Sequence, residues 1–329
     1  MSNNTLRYLS GADVVQALPM AEAVEGMKQA YAQLSTGKAQ VPLRARVQTD
    51  GTTLVMPAAV PETGGLAVKI VSVFPSNAQR GIPTIHALVM ALDAETGIPT
   101  AIMEGGTLTA IRTGAGSGAA TDILARPDSR TVAIIGSGVQ ARTQLEAVCA
   151  VRDVAHVFVY SRTSASAEAF AAEMAGKAGV PDNITVAATA DDAVREADIV
   201  CAATTSTTPV FSGDALKPGT HISGVGSFRP EMQELDLTTI KKSLVVVDSR
   251  EAVLEEAGEL IIPLNNGDIE LSHIHAELGE IVAGSATGRT DNDQITFFKS
   301  VGVAVQDVVA ATIVVKNAST NDLGTLLPL

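Results

Sequence analysis

Gly136, Gly138 and Ala141 form a G-x-G-x-x-A pattern directly after the apolar run Val132 to Ile135. In that pattern the first glycine makes a tight turn, the second lets a pyrophosphate approach the backbone, and the third small residue lets a helix pack close on the strand. The helix that follows would hold phosphates through its free N–H groups and positive dipole end. Glycine turns before helices are common, so context decides. Here an all-apolar strand precedes the turn, and Ala141, Leu145 and Val148 follow at helical spacing. Arg44 and Arg46 stand two apart in a predicted strand and therefore share a face. His273 and His275 invite a metal, but no third ligand stands at zinc-like spacing, and neither strand nor helix brings Glu277 and Glu280 round to both. No metal is expected.

The 329 residues of the chain, with 46% hydrophobic and 18% charged side chains, are enough for two domains with substantial cores. A net charge of −13, with no basic cluster beyond Lys241 and Lys242, argues against a nucleic-acid partner. No apolar run approaches the ~20 residues of a membrane span, and nothing at the start resembles a signal peptide. Cys149 and Cys201, in a predicted helix and a predicted strand, suit reduced, buried thiols in a cytoplasmic protein.

Elements that could position these residues follow from periodicity. Two helices are predicted between Gly11 and Leu34, then strands over 41–48, 53–57, 65–74, 84–93 and 99–104, punctuated by Gly and Pro. Leu108 to Leu124 reads as an Ala- and Gly-rich helix. From Thr131 the rhythm is strand and helix in alternation, with strands at 131–135, 156–160, 184–187, 198–203, 220–224 and 244–247. Ala252 to Gly284 reads as helix and loop, and Phe297 to Val315 as one long apolar helix. A closing helix that apolar must bury its faces, which predicts that the chain crosses back to the β-rich first domain. The expected fold class is α/β: a Rossmann doubly wound parallel sheet over 119–299, plus a discontinuous α+β substrate-binding and dimerisation domain over 1–118 and 300–329.

Several separated motifs in this order, Val41-Pro-Leu-Arg44, Gly65-Leu-Ala-Val-Lys69, Arg80-Gly-Ile-Pro83, Arg112-Thr113-Gly114, Gly136-Ser-Gly-Val-Gln140-Ala, Ala197-Asp-Ile-Val-Cys-Ala-Ala-Thr204 and Phe297-Phe-Lys-Ser-Val-Gly302, resemble the family of ornithine cyclodeaminase, mu-crystallin and the related alanine dehydrogenases and ketimine reductases. The resemblance covers nearly the whole chain. It implies that Arg44, Lys69 and Arg112 surround a substrate carboxylate, with Lys69 near the reacting carbon. It also implies that Thr113, Gly136, Gly138, Val139, Gln140, Ser161, Arg162, Thr163, Thr204 and Ser300 hold NAD(H) or NADP(H). The chemistry agrees, since a small α-imino acid offers one anion for arginines to clamp and one C=N group that is reduced more easily when its nitrogen is protonated. Lys69 lies in an apolar stretch where burial would lower its pKa toward a donor's range.

One departure separates activities. Ornithine cyclodeaminase carries an aspartate base in a Gly-Asp-x-Pro-Gly-Lys setting, and aligning on Pro230 and Glu234 places Phe228 there. A phenyl ring cannot abstract a proton, which leaves an imine reductase or amino-acid dehydrogenase. The second predicted strand ends in Ser161-Arg162-Thr163 with no acid for ribose hydroxyls. This suits a 2′-phosphate and points to NADP(H), though Arg162 could stack on adenine with either cofactor. The chain as a whole is similar to iminosuccinate reductases of the family. Arg46 and Arg229 supply cations for a second carboxylate, so iminosuccinate to aspartate is the specific substrate expected, with alanine and cyclic ketimines as alternatives. A non-catalytic mu-crystallin-like binding protein stays open; the retained Lys69, Arg44 and Arg112 favour an enzyme. A homodimer through the first domain is expected, because its strands leave edges that a lone layer cannot cover.

Overall fold

The computed structural model describes residues 5–329, and the chain divides into two compact units, Met1–Arg112 with Val303–Leu329 and Thr113–Gly302. The joins, at 112/113 and 302/303, lie a few residues from those expected at 118/119 and 299/300.

The first unit opens with β1 (Thr5–Leu9), α1 (Gly11–Ala17) and α2 (Met20–Ser35), then β2 (Ala45–Gln48), β3 (Thr52–Val60), β4 (Gly65–Val73), β5 (Ile85–Asp93) and β6 (Pro99–Glu104). Ser10 and Asp13 start α1 as a reciprocal capping box. Helix α3 (Gly105–Leu124) begins where the Glu104 carboxylate accepts the N–H groups of Gly106 and Thr107, each at 2.7 Å. That carboxylate satisfies donors a helix start otherwise leaves open, and it fixes where Arg112 falls two turns on.

The second unit alternates strands and helices: β7 (Thr131–Ile135), α4 (Val139–Val151), β8 (His156–Tyr160), α5 (Ser164–Met174), β9 (Ile184–Val186), α6 (Ala190–Arg195), β10 (Ile199–Ala202), β11 (His221–Gly224), α7 (Leu237–Lys242), β12 (Ser243–Val247), α8 (Arg250–Glu256), α9 (Gly258–Asn266), β13 (Ile274–Glu277), α10 (Leu278–Val282) and β14 (Ile295–Lys299). They form an eight-stranded sheet in the order β13-β12-β14-β11-β10-β7-β8-β9, every pair parallel. Strand β7 is where the order turns from one direction to the other, the position at which such sheets bind ligands. It is buried on both faces: Val132 and Ile134 pack with Leu145, Val148 and Phe170, while Ala133 and Ile135 pack with Val200, Ile222 and Phe297.

Two strands of this sheet correct the sequence reading. Residues 295–299 are not the start of a long helix; they are β14, hydrogen-bonded in register between β11 and β12. A short, wholly buried apolar run has no period that tells strand from helix. Gly302, at φ +86°, makes the break. Strand β13 lies in the stretch expected to be helix and loop.

The chain then returns to the first unit as α11 (Ala304–Thr320) and β15 (Thr325–Pro328). The seven-stranded sheet of that unit runs β15-β1-β6-β5-β4-β3-β2. Strands β1 and β15, unread from the sequence, pair antiparallel at one edge. Helix α11 packs on α2 and on β3, β4 and β5, so nearly all of its first two turns are buried, Gln306 and Asp307 included. The alternation along β4 puts Ala67 and Lys69 on the covered face and leaves Ile70 exposed on the other.

Candidate functional site

In the first unit, the cations expected at a substrate carboxylate meet a residue the sequence reading missed. Lys69 lies in the middle of β4, paired in register with Met56 of β3 and Val89 of β5, and is 3% exposed. Its ammonium forms an ion pair with Asp307 Oδ2 at 2.6 Å. Arg112, also buried, donates from Nε to Asp307 Oδ1 and from Nη1 to Gln306 Oε1, both at 3.1 Å. Gln306 is held in turn, its Nε2 donating to the Tyr31 hydroxyl at 2.9 Å and its Oε1 accepting from Val303 N at 3.0 Å. A single buried carboxylate thus sets the direction of two buried cations. Burial lowers the Lys69 pKa to about 8; Asp307 opposes this, and Arg112 and Arg44 add to it. The charges that act on Lys69 are therefore two arginines and one aspartate, an excess of positive charge that suits an anionic ligand.

Arg44 belongs to this group through its effect on Lys69, but it precedes β2 and does not lie within it. The strand alternation expected to put Arg46 beside it therefore does not apply. Arg46 is in β2 opposite Leu54 and is exposed. Asp307 carried a readable signal: it is the one charge in a run from Val301 to Val315 that is apolar but for Gln306 and Thr312, and a lone carboxylate among buried apolar residues needs a partner.

In the second unit, the glycine turn has the shape the fingerprint requires. Gly136 adopts φ +107°, and a Cβ there would lie 2.5 Å from the Ala203 carbonyl oxygen, so only glycine fits. Its N–H donates to the Tyr160 carbonyl at 2.8 Å, tying the end of β7 to the end of β8. Gly138, the N-cap of α4, has an ordinary φ of −81°, and a Cβ there would meet nothing within 4 Å. Nothing inside the protein demands glycine at that point; open space over a helix start fits a bound pyrophosphate. Val139 is exposed on the first turn, and Gln140 Oε1 is buried with no hydrogen-bond partner among the described residues. Ala141 is fully buried, and Gly114 of α3 lies so close to α4 that a Cβ would be 2.4 Å from the Thr143 carbonyl oxygen.

The other expected cofactor residues fall as follows. Ser161 bonds Ser137 hydroxyl to hydroxyl at 2.9 Å. Arg162 and Thr163 are exposed just beyond β8, with Thr163 bonded to Ser166 at 2.7 Å. The Thr204 N–H donates to Glu234 Oε1 at 2.6 Å, and the same buried carboxylate accepts from Gly226 N at 2.7 Å and Ser227 N at 3.2 Å. Thr113 is half-buried, and its carbonyl accepts a long bond from Gln144 at 3.4 Å. Ser300 is buried and donates its hydroxyl to Asp248 at 2.8 Å, which gives that hydroxyl a structural task. Phe228 is 41% exposed; Arg229 lies 5.7 Å from its ring centroid and pairs with Glu231 at 3.3 Å. His273 and His275 bond separately to the carbonyls of Ile240 and Thr287, and no group of three His, Cys, Asp or Glu side chains suited to a metal is found among the described residues. No helix of the described residues is long and apolar enough to cross a membrane.

Comparison with known proteins places these features in a lineage. A Δ1-pyrroline-2-carboxylate reductase of Bacillus cereus is 43% identical, over 93% of this chain and 94% of its own. The structure of Thermococcus litoralis Δ1-pyrroline-2-carboxylate reductase in complex with NADH and L-proline is 44% identical, with a TM-score of 0.92 over 97% of this chain and 99% of the other. An archaeal alanine dehydrogenase dimer with bound NAD is 33% identical, also at 0.92, over 99% of each chain. The ornithine cyclodeaminase/mu-crystallin family matches residues 6–322, and the chain belongs to that family.

Proposed function

We propose that this chain is an NAD(P)-dependent oxidoreductase of C=N groups whose substrate is a small cyclic α-imino acid, Δ1-pyrroline-2-carboxylate, reduced to L-proline. The observation that carries the reading is the buried cluster in which Asp307 directs Lys69 and Arg112 beside Arg44. Arginine forks are suited to the permanent carboxylate of such a substrate. The Lys69 ammonium, its pKa near 8, holds a proton for the imine nitrogen and is left neutral when that proton is passed on. Asp307 keeps the ammonium aimed and Arg112 in place. The nicotinamide cofactor, when bound, supplies the hydride that adds to the imine carbon. Gly138, the start of α4, Ser161 and Arg162 are the residues for its pyrophosphate and adenosine ribose. The relatives of known activity support the same chemistry, and the bound ligands of the Thermococcus litoralis enzyme support the cyclic substrate.

The iminosuccinate reading loses its motive. Arg46 is exposed, and Arg229 pairs with Glu231. Phe228 offers no base for a cyclodeaminase. The open face of the first unit's sheet, with Ile70 and Leu88 in register and each about half exposed, supports a homodimer through a second copy of this chain, the state in which the archaeal relative is described.

The test is a side-by-side assay with NADH and NADPH: reduction of Δ1-pyrroline-2-carboxylate, reductive amination of pyruvate with ammonia, and oxidation of L-proline, L-alanine and L-aspartate. The cyclic imine should have the highest kcat/KM. Preference for pyruvate or aspartate would overturn the substrate, and no turnover of any would favour a binding protein.

A further inference from the structure

We propose that Arg142 is a positioning residue of the dinucleotide site: it holds the peptide groups of the glycine turn so that their N–H bonds face the pyrophosphate. The inference rests on reading 136–141 as the cofactor turn. Arg142 lies in the first turn of α4, and its Nη1 donates to the Ser137 carbonyl at 2.8 Å and to the Gly138 carbonyl at 2.9 Å. Both peptides are trans, and in a trans peptide the C=O and N–H bonds point in opposite directions. Holding the Ser137 carbonyl against the guanidinium therefore turns the Gly138 N–H away from it. Holding the Gly138 carbonyl does the same for the Val139 N–H. These are the donors an anion meets at the start of α4, beside the open space over Gly138. The Gly138 carbonyl would face along the helix in any case. The Ser137 carbonyl lies in the turn, where helical geometry dictates nothing.

The rest of the guanidinium is equally fixed. Nε donates to Glu173 Oε1 at 2.9 Å and Nη2 to Glu173 Oε2 at 2.5 Å, a two-pronged pairing with α5, and the group lies 5.5 Å from the centroid of the Phe170 ring. Fork geometry lets one side chain grip a carboxylate with one edge and two carbonyls with the other, which a lysine cannot do. Glu173 also offsets the charge of Arg142, so the residue acts by orienting donors and not by attracting phosphate. Because the turn is oriented before the ligand arrives, no ordering is left for binding to impose.

The experiment measures dissociation constants for NADH, by its fluorescence, and for ADP-ribose, by calorimetry, which shares the pyrophosphate but lacks the nicotinamide. Arg142→Met should weaken both by about tenfold and Arg142→Lys by several-fold, with the turnover number at saturating cofactor unchanged and the circular dichroism spectrum native. Glu173→Gln removes the offsetting charge and loosens the grip. It should weaken binding or leave it alone, whereas simple attraction would make it tighten. Wild-type affinity in Arg142→Met, a loss confined to NADH, or tighter binding by Glu173→Gln would each overturn the proposal. Should the unaltered protein bind neither NADH nor ADP-ribose, the cofactor reading fails and the role of Arg142 with it.

Discussion

Replacing Asp307 with asparagine should move the pH dependence of catalysis. Asp307 is 1% exposed and is the anion paired with Lys69, whose pKa is about 8 under the opposing effects of burial, Arg112 and Arg44. A neighbouring opposite charge typically moves a pKa by about 1–3 pH units, so without it the Lys69 value should fall from about 8 to roughly 5–7. At pH 7 a group of pKa 8 is about 90% protonated and one of pKa 6 about 10%. The sign follows from the role of Lys69. Imine reduction needs the ammonium, so kcat/KM in the parent falls as pH rises through about 8; in Asp307→Asn the fall should begin at roughly pH 5–7. Amino-acid oxidation needs the neutral amine and should show the mirror image, rising through the same pH. Breaking a buried pair also costs about 3–5 kcal/mol of stability, which loss of the Lys69 proton will reduce, so a thermal melt must confirm that the variant is folded at each pH. Rate profiles for both directions, from pH 5 to 10, are the assay. An unchanged break point, or one displaced to higher pH, would refute the assignment of Lys69 as the proton donor held by Asp307.

Lys69→Ala should lower turnover by about 10²–10⁴-fold while NADH binding measured by fluorescence survives, because the lysine and the glycine turn belong to different units. Arg112→Met should raise KM for the imino acid by an amount equivalent to about 1.5–3 kcal/mol, the value of a charge-assisted hydrogen bond, with cofactor affinity unchanged; equal loss of both would mean a collapse of the cluster. Arg162→Ala should weaken NADPH more than NADH, read as the ratio of the two dissociation constants, since only NADPH offers a 2′-phosphate to this exposed guanidinium. Leu88→Asp, on the open sheet face opposite Ile70, should convert a dimer to a 33.8 kDa monomer in light scattering.

Features written in local backbone constraint, or in a hydrophobic pattern bounded by turn residues, are legible without the fold. Gly136 needs a left-handed turn, Ala141 needs close packing, and Val132 to Ile135 need cover on both faces; those demands are written within a dozen residues and specify a strand, a turn and a helix. The strands from 131 to 247 were legible for the same reason, as short apolar runs bounded by turn residues. Tertiary structure decided what depends on partners far away in the chain. Residues 295–299 are a strand because β11 and β12 leave a gap between them that only an extended segment fills. Lys69 could have been a strand lysine reaching solvent; what buries it is α11, which also brings Asp307 from more than two hundred residues away. Arg46 lies in β2 while Arg44, two residues earlier, precedes it, so strand alternation does not relate the two. A charge in an apolar run announces that it will be paired, but which groups pair with it is fixed only when sheet and helix close over the site.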